Sequence, residues 1–180
     1  MHRKTKVILG LLAVGLTAFC VITFWALPAM EQRQAEYDRN QRDALTHDIT
    51  AIEKYRSAYV GDAPNLGGLL EHLPLGDIGK QYTIDADLCT VTVDYRDTVW
   101  NIGEEKVQRD LLYNSVAAMA SIDNLAGITY RFPDGSFTFD RKTMEDAFGS
   151  PLSDLLAPAK WRDAVQTRLS SEEFCRQFYQ

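Results

Sequence analysis

At 180 residues with a formal net charge of −6, the chain has room for one domain and a surface that repels nucleic acid and anionic lipid headgroups. The charge is unevenly placed. All 25 acidic residues follow Pro28, against sixteen of the 19 Lys and Arg, so the part beyond Pro28 is strongly acidic. Such a surface favours cations or basic partners, and it equally serves solubility.

The chain opens MHRKTK and then runs VILGLLAVGLTAFCVITFWALP, Val7 to Pro28, without a charged residue. As a helix these positions cross a hydrocarbon core of ~30 Å. A cleaved leader has an apolar core of roughly 7–15 residues and a small-x-small cleavage site. Here the run is longer, and Ala26-Leu27-Pro28-Ala29 puts Leu27 where a small residue is wanted. Phe19 likewise stands before Cys20 where a lipoprotein signal needs a small residue. Residues 7–28 are therefore read as an uncleaved transmembrane anchor. Arg3, Lys4 and Lys6 precede it and Arg33, Arg39 and Arg42 follow, so the count alone does not orient it. A short basic start before one early span favours a cytoplasmic tail at 1–6 and an extracytoplasmic remainder, and Trp25 suits the outer aromatic belt.

EQRQAEYDRNQRDA (31–44) is polar nearly all round, with Asp38 and Arg42 at helical spacing. Residues 29–44 are expected to form a stalk, either helical or a flexible linker. From Leu45 the pattern turns amphipathic, with Leu45, Ile49, Ile52 and Tyr59 at helical steps, so the domain is placed at 45–180.

YVGDAPNLGGLLEHLPLG (59–76) carries four glycines. A phosphate-binding loop needs G-x-x-x-x-G-K-[ST] after a strand, with a lysine on the phosphates and a hydroxyl on magnesium. Leu69 follows Gly68 here, so both side chains are missing. The glycines are read as structural: Gly61-Asp62 and Ala63-Pro64 form turns, and Asn65 caps a short helix of Leu66, Leu69, Leu70 and Leu73 ended by Pro74 and Gly76.

KQYTIDAD (80–87) and LCTVTVDYR (88–96) alternate with period two, turning Cys89, Val91, Val93 and Tyr95 one way and Thr90, Thr92, Asp94 and Arg96 the other. GEEKVQRDLLYNSVAAMASIDN (103–124) predicts a long helix, with a Val107, Leu111, Met119, Ile122 stripe and glutamates in its first turn. GITYRFPDGSFTFD (127–140) predicts a hairpin turning at Pro-Asp-Gly. Thr143 caps a short helix to Phe148, Pro151 opens another, and 159–169 and 171–179 are helical. The expected fold is α+β: a four-stranded antiparallel sheet with helices packed on one face, behind a transmembrane helix and polar stalk.

Chemistry-bearing patterns are sparse. His2, His47 and His72 are the only histidines, His47 lying at the stalk's end, and neither H-E-x-x-H nor G-x-S-x-G occurs. Asp85, Asp87, Asp94 and Asp97 cluster in sequence without a calcium-loop spacing, so solvated edge carboxylates are the simpler reading. No cofactor or metal is expected, and no catalytic residue. Cys89 and Cys175 lie in the part where a disulfide persists, and either a bridge or two free thiols satisfies the pattern. Thr90, Thr92, Arg96, Thr129, Arg131 and Thr138 share the polar sheet face, a candidate platform for a ligand or partner that an ordinary solvated face would also resemble.

Tyr59-Val60-Gly61-Asp62, with Lys54-Tyr55 before it and HLPL (72–75) after it, resembles a bacterial domain-of-unknown-function family, number forty-eight twenty-five. The resemblance continues through NSVAAMASIDNLAGITYRF (114–132) and FTFDR (137–141), from Lys54 to Trp161. It implies a membrane-attached extracytoplasmic domain of largely Gram-positive bacteria, joined in some relatives to a membrane metallopeptidase of antibiotic-sensor type. This chain has one apolar run and no zinc motif, so that chemistry does not carry over. The expectation is a non-catalytic binding or sensing module. With about six residues inside the cell it would need a membrane or envelope partner. A structural tether or assembly factor is the alternative, and a cell-wall-active enzyme a third.

Overall fold

The computed structural model describes residues 3–179, so His2 and the start of the expected tail lie outside the described residues. The chain forms two compact units, Met1–Arg39 and Asn40–Gln180. In the first, α1 (Arg3–Val21) runs through a wider π-type turn, Ile22–Ala26, into α2 (Leu27–Asn40). Pro28 supplies the reason for the turn. It has no N–H to give and its ring crowds the carbonyl one turn back, which a π-type turn upstream absorbs. Among the described residues one helix, Val14–Asn40, is long and apolar enough to cross a membrane.

The second unit begins with turns rather than the helix expected from Leu45 to Tyr59. Only Ile49–Tyr55 is helical there, as a 3₁₀ segment that Asp48 caps by accepting the Thr50 N–H at 2.9 Å. Next comes α3 (Ala63–His72). Its cap is Asp62, which accepts the Asn65 N–H, rather than Asn65 itself. Three of the four glycines of this stretch, Gly67, Gly68 and Gly76, sit where the chain or a side chain approaches closely, while Gly61 has nothing near its Cβ position and no positive φ. A Cβ on Gly67 would stand 2.8 Å from the Tyr82 hydroxyl, and one on Gly68 would stand 2.3 Å from the Tyr55 ring.

The sheet contains β1 (Lys80–Asp85), β2 (Thr90–Tyr95), β3 (Gly127–Phe132) and β4 (Gly135–Asp140), in that spatial order. The antiparallel expectation is corrected at its centre. β1–β2 and β3–β4 are antiparallel hairpins, but β2 and β3 run parallel, with Thr90 opposite Gly127 and Asp94 opposite Arg131. The physical reason lies in the connection. Between β2 and β3 the chain forms α4 (Val99–Ile102) and α5 (Glu104–Ser121), a crossover long enough to return it to the same end of the sheet.

Helix α5 is the centre of the packing. Positions 110–121 are buried on every side, against the single stripe its apolar periodicity predicted. The sheet supplies Val91, Val93, Tyr95, Ile128, Tyr130 and Phe139 to the same core. Around it lie α6 (Arg141–Phe148), a 3₁₀ turn (Leu152–Leu155), α7 (Pro158–Trp161) continuing through Arg162–Gln166 into α8 (Thr167–Leu169), and α9 (Glu172–Arg176). Asp140, not Thr143, caps α6, accepting the Thr143 N–H at 2.9 Å.

Of the two readings left open for Cys89 and Cys175, the structure has free thiols. Their neighbours differ. Cys89 Sγ accepts from Asn124 Nδ2 at 3.5 Å, and Cys175 Sγ donates to Leu169 O at 3.5 Å on a helix packed against α5.

The glycine geometry sets a stability order. A Cβ on Gly76 would lie 2.1 Å from Glu71 O, a backbone atom that cannot rotate away, whereas the Gly68 clash falls on a side-chain ring. Thermal unfolding of Gly68→Ala and Gly76→Ala is expected to show both destabilised, by about 1–3 kcal/mol, with Gly76→Ala the more damaged.

Candidate functional site

Three features carry polar groups that an α+β core does not need for packing: a buried clamp, an uncovered sheet face, and a cleft at the end of α5. The clamp holds the segment that follows α2. Ala44 N–H donates to Asp110 Oδ1 at 3.1 Å, Lys106 Nζ donates to Arg42 O at 2.7 Å, and Gln166 Nε2 donates to both Ala44 O and His47 O. His47 is only 2% exposed. Its partners fix its tautomer. The Trp161 indole can only donate, so Tyr113 Oη accepts there at 3.1 Å and gives its own proton to His47 Nδ1 at 2.7 Å. His47 Nε2–H then donates to His72 O at 2.8 Å. Neutral His47 satisfies every contact, and a charged one would donate from both nitrogens and leave the Tyr113 hydroxyl proton without this acceptor. Sequence reasoning placed His47 at the stalk's end and offered no sign that it would be buried.

Burial depresses the His47 pKa, against smaller opposing effects from the His72 carbonyl and Asp48. Burial raises the Asp110 carboxyl to about 6, with Lys106 pulling the other way.

The family-resembling segments divide sharply by role. Val60 is buried, Asp62 caps α3, and Gly61 makes no close contact. Asn124 accepts the Val60 N–H at 2.7 Å while donating to Cys89, so it ties the 59–62 loop to the start of β2. Arg141 closes the C-terminal end of α5. Its Nη2 donates to Met119 O and Ile122 O at 2.7 and 2.8 Å, and its Nε donates to Leu125 O at 2.9 Å. Tyr59 holds nothing together in this way. Its side chain is 71% exposed, and its ring makes no aromatic contact among the described residues.

The structure brings five of the six expected face residues together. Register places Thr83, Thr92, Thr129 and Thr138 in one row across all four strands, with Thr129 and Thr138 hydroxyls 3.0 Å apart. Thr90 lies in the row on one side. On the other, Gln81, Asp94, Arg131 and Ser136 align, and Arg131 Nη1 meets Asp94 Oδ1 at 3.9 Å. Arg96 falls just past the end of β2, beside Gly79. The strand positions facing this way are exposed or half-buried, apart from Gly127.

Exposed apolar side chains stand at both ends of the strands, and no local pattern signals them. Leu88, 67% exposed, occupies the β1–β2 turn beside the loop carrying Tyr59. At the opposite end Trp100 is 87% exposed. Asp134, in the β3–β4 turn, accepts the Val99 and Trp100 N–H groups at 2.8 and 3.2 Å, which fixes the turn that displays the indole. These two bonds hold the Asp134 carboxyl below its ordinary pKa.

The aspartates between Asp85 and Asp97 do local work. Asp85 accepts the Asp87 and Leu88 N–H groups, and Asp97 accepts from Thr98 N and Asn101 Nδ2. Among the described residues no group of three or more His, Cys, Asp or Glu is placed to hold a metal ion.

Fold and surface together define an α+β module, open on one sheet face and preceded in the chain by an apolar helix. The chain belongs to the family described as Domain of unknown function (DUF4825), whose model matches residues 52–142. That span covers the 3₁₀ segment through the start of α6 and stops short of Trp161. No curated protein and no solved structure shows significant similarity to the chain.

The clamp predicts an acid response with two opposed parts. An imidazole with a depressed folded pKa contributes stability that is present above about 6.5 and lost as pH falls. A carboxyl raised to about 6 contributes stability that is full below about 3.8 and lost as pH rises through 6. The two flatten each other in the wild type. Urea titrations at pH 5 and 7.5 should show Asp110→Asn losing more stability in acid than the wild type, and His47→Gln losing less. Unchanged pH slopes in both variants would refute the clamp's electrostatics.

Proposed function

We propose that the chain is a non-catalytic binding module, held at the membrane by its N-terminal helix with residues 45–180 outside the cytoplasm. Its open sheet face docks another membrane or envelope protein, or an envelope ligand. One observation carries the reading: Tyr59, Leu88 and Trp100 stand exposed at the two ends of an uncovered polar face. Large exposed aromatics at the strand ends, with Arg131 on the face about 20 Å long between them, match the composition that concentrates energy in interfaces. Trp100 is the strongest anchor because Asp134 fixes the backbone beneath it.

A tether or assembly role is the second reading, and the clamp supports it. A segment bonded by Asp110, Gln166 and Lys106 is built to bear load. Asp85 and Asp94, one pair of the cluster that motivates the hydrolase reading, do not fit it. Asp94 stands four residues along β2 from the register partner of Asp85, about 13 Å away on an exposed face, beyond the roughly 5–9.5 Å of paired glycosidase carboxylates.

A photo-crosslinking residue at Trp100 or Thr138 in intact cells is expected to capture one specific partner, with exposed Lys142 as the control position. Trp100→Ala should cut that capture about tenfold or more while changing domain stability by less than about 0.5 kcal/mol. Absence of a specific adduct at both positions, with envelope defects on deletion, would favour the tether.

A further inference from the structure

A cleft of about 350 Å³ lies where the 3₁₀ segment Ile49–Tyr55 faces the turn Leu152–Leu155 and the start of α7, with the C-terminal end of α5 in its wall. Its volume is within the range of small-ligand sites. Ile52, Leu156 and Pro158 contribute apolar surface. Two observations mark it as more than a surface dent. Ser121 on its wall is 2% exposed, and its hydroxyl has no hydrogen-bond partner among the described residues. A buried hydroxyl left unmatched costs roughly 1–3 kcal/mol, and a ligand group would recover it. The cleft also holds Glu53, Arg56 and Asp154, none of which forms an ion pair or a side-chain hydrogen bond among the described residues. All three are solvent-exposed, so they are open to a charged ligand.

The three charges select the ligand. Two carboxylates suit an ammonium, one guanidinium suits a carboxylate, and the apolar surface between them suits a small aliphatic body. The Ser121 hydroxyl matches an amide in the middle of such a molecule. We propose that this cleft binds a short peptide with free termini and small apolar side chains. It is a site separate from the sheet face, and it rests on the reading of the domain as a binding module. Because Ile49, Thr50, Ile52 and Glu53 directly follow the clamped segment, the ligand would touch the part of the domain nearest its anchor in sequence.

The test uses the full chain, isotopically labelled in detergent micelles, with dialanine, N-acetyl-dialanine and dialanine amide as probes. Dialanine should give saturable amide shifts confined to Glu53, Ser121, Ser153 and their neighbours. Blocking either terminus should weaken binding about fivefold or more. Arg56→Gln should make the amide and the free acid bind alike, and Ser121→Ala should weaken all three probes while holding or raising the melting temperature, because it removes the unmatched hydroxyl. No saturable shift at millimolar dialanine, shifts outside the cleft, or equal binding of blocked and free forms would overturn the proposal. A partner captured at Trp100 alongside a silent cleft would leave the binding-module reading standing and end this one.

Discussion

A helix buried on all sides cannot carry an unanswered polar group without cost, and α5 carries several polar side chains. Asp110, Tyr113, Asn114, Ser115 and Ser121 all lie within its buried length. Most of the domain's non-sheet architecture answers them. Asp110 draws in the backbone of Ala44, Asn114 Nδ2 donates to Pro74 O at 2.7 Å, and Tyr113 joins His47 to Trp161. Each bond fixes a different stretch of chain around the same cylinder. An unpaired donor or acceptor here costs more than a typical surface contact gains, so these bonds act as constraints on where segments may lie.

The clamp and the crossover follow from that requirement. The α4–α5 connection leaves the sheet at the end of β2 and returns to the opposite end, where β2 began, so β3 runs parallel to β2. Its last turn leaves carbonyls without helical partners, and Arg141 takes Met119 O and Ile122 O from across the fold. The segment after α2 has no regular structure to satisfy its own backbone, so α5 and the C-terminal helices supply the partners as side chains. Two groups on α5 stay unanswered among the described residues, Asn114 Oδ1 and the hydroxyl of Ser121, a residue of the cleft wall.

On the other side of the sheet nothing is constrained in this way. Threonines in one register row keep their hydroxyls near solvent, and α5 packs on the apolar face. What distinguishes this surface from ordinary solvated sheet is its ends, where Tyr59, Leu88 and Trp100 are held out by turns that are themselves well bonded. Within the family segments, Val60, Asp62, Asn124 and Arg141 have structural roles. Tyr59 and Arg131 hold no part of the core, which is the physical ground for placing function near them.

The apolar run, the four strands, the hairpin at Pro133-Asp134 and the long helix were legible in sequence, because period-two and period-3.6 patterns record which side of an element meets water. So was the polar face: Thr90, Thr92, Thr129, Arg131 and Thr138 share it because alternation along a strand fixes direction whatever the strand pairs with. Tertiary structure alone decided the rest. Whether β2 and β3 run parallel depends on how the connection packs. Whether Cys89 meets Cys175 depends on where a terminal helix docks. His47 looked like a stalk residue because a buried, fully bonded histidine and a solvated one are spelled alike. The exposure of Trp100 and the isolation of Ser121 depend on neighbours distant in sequence, and local pattern carries no record of them.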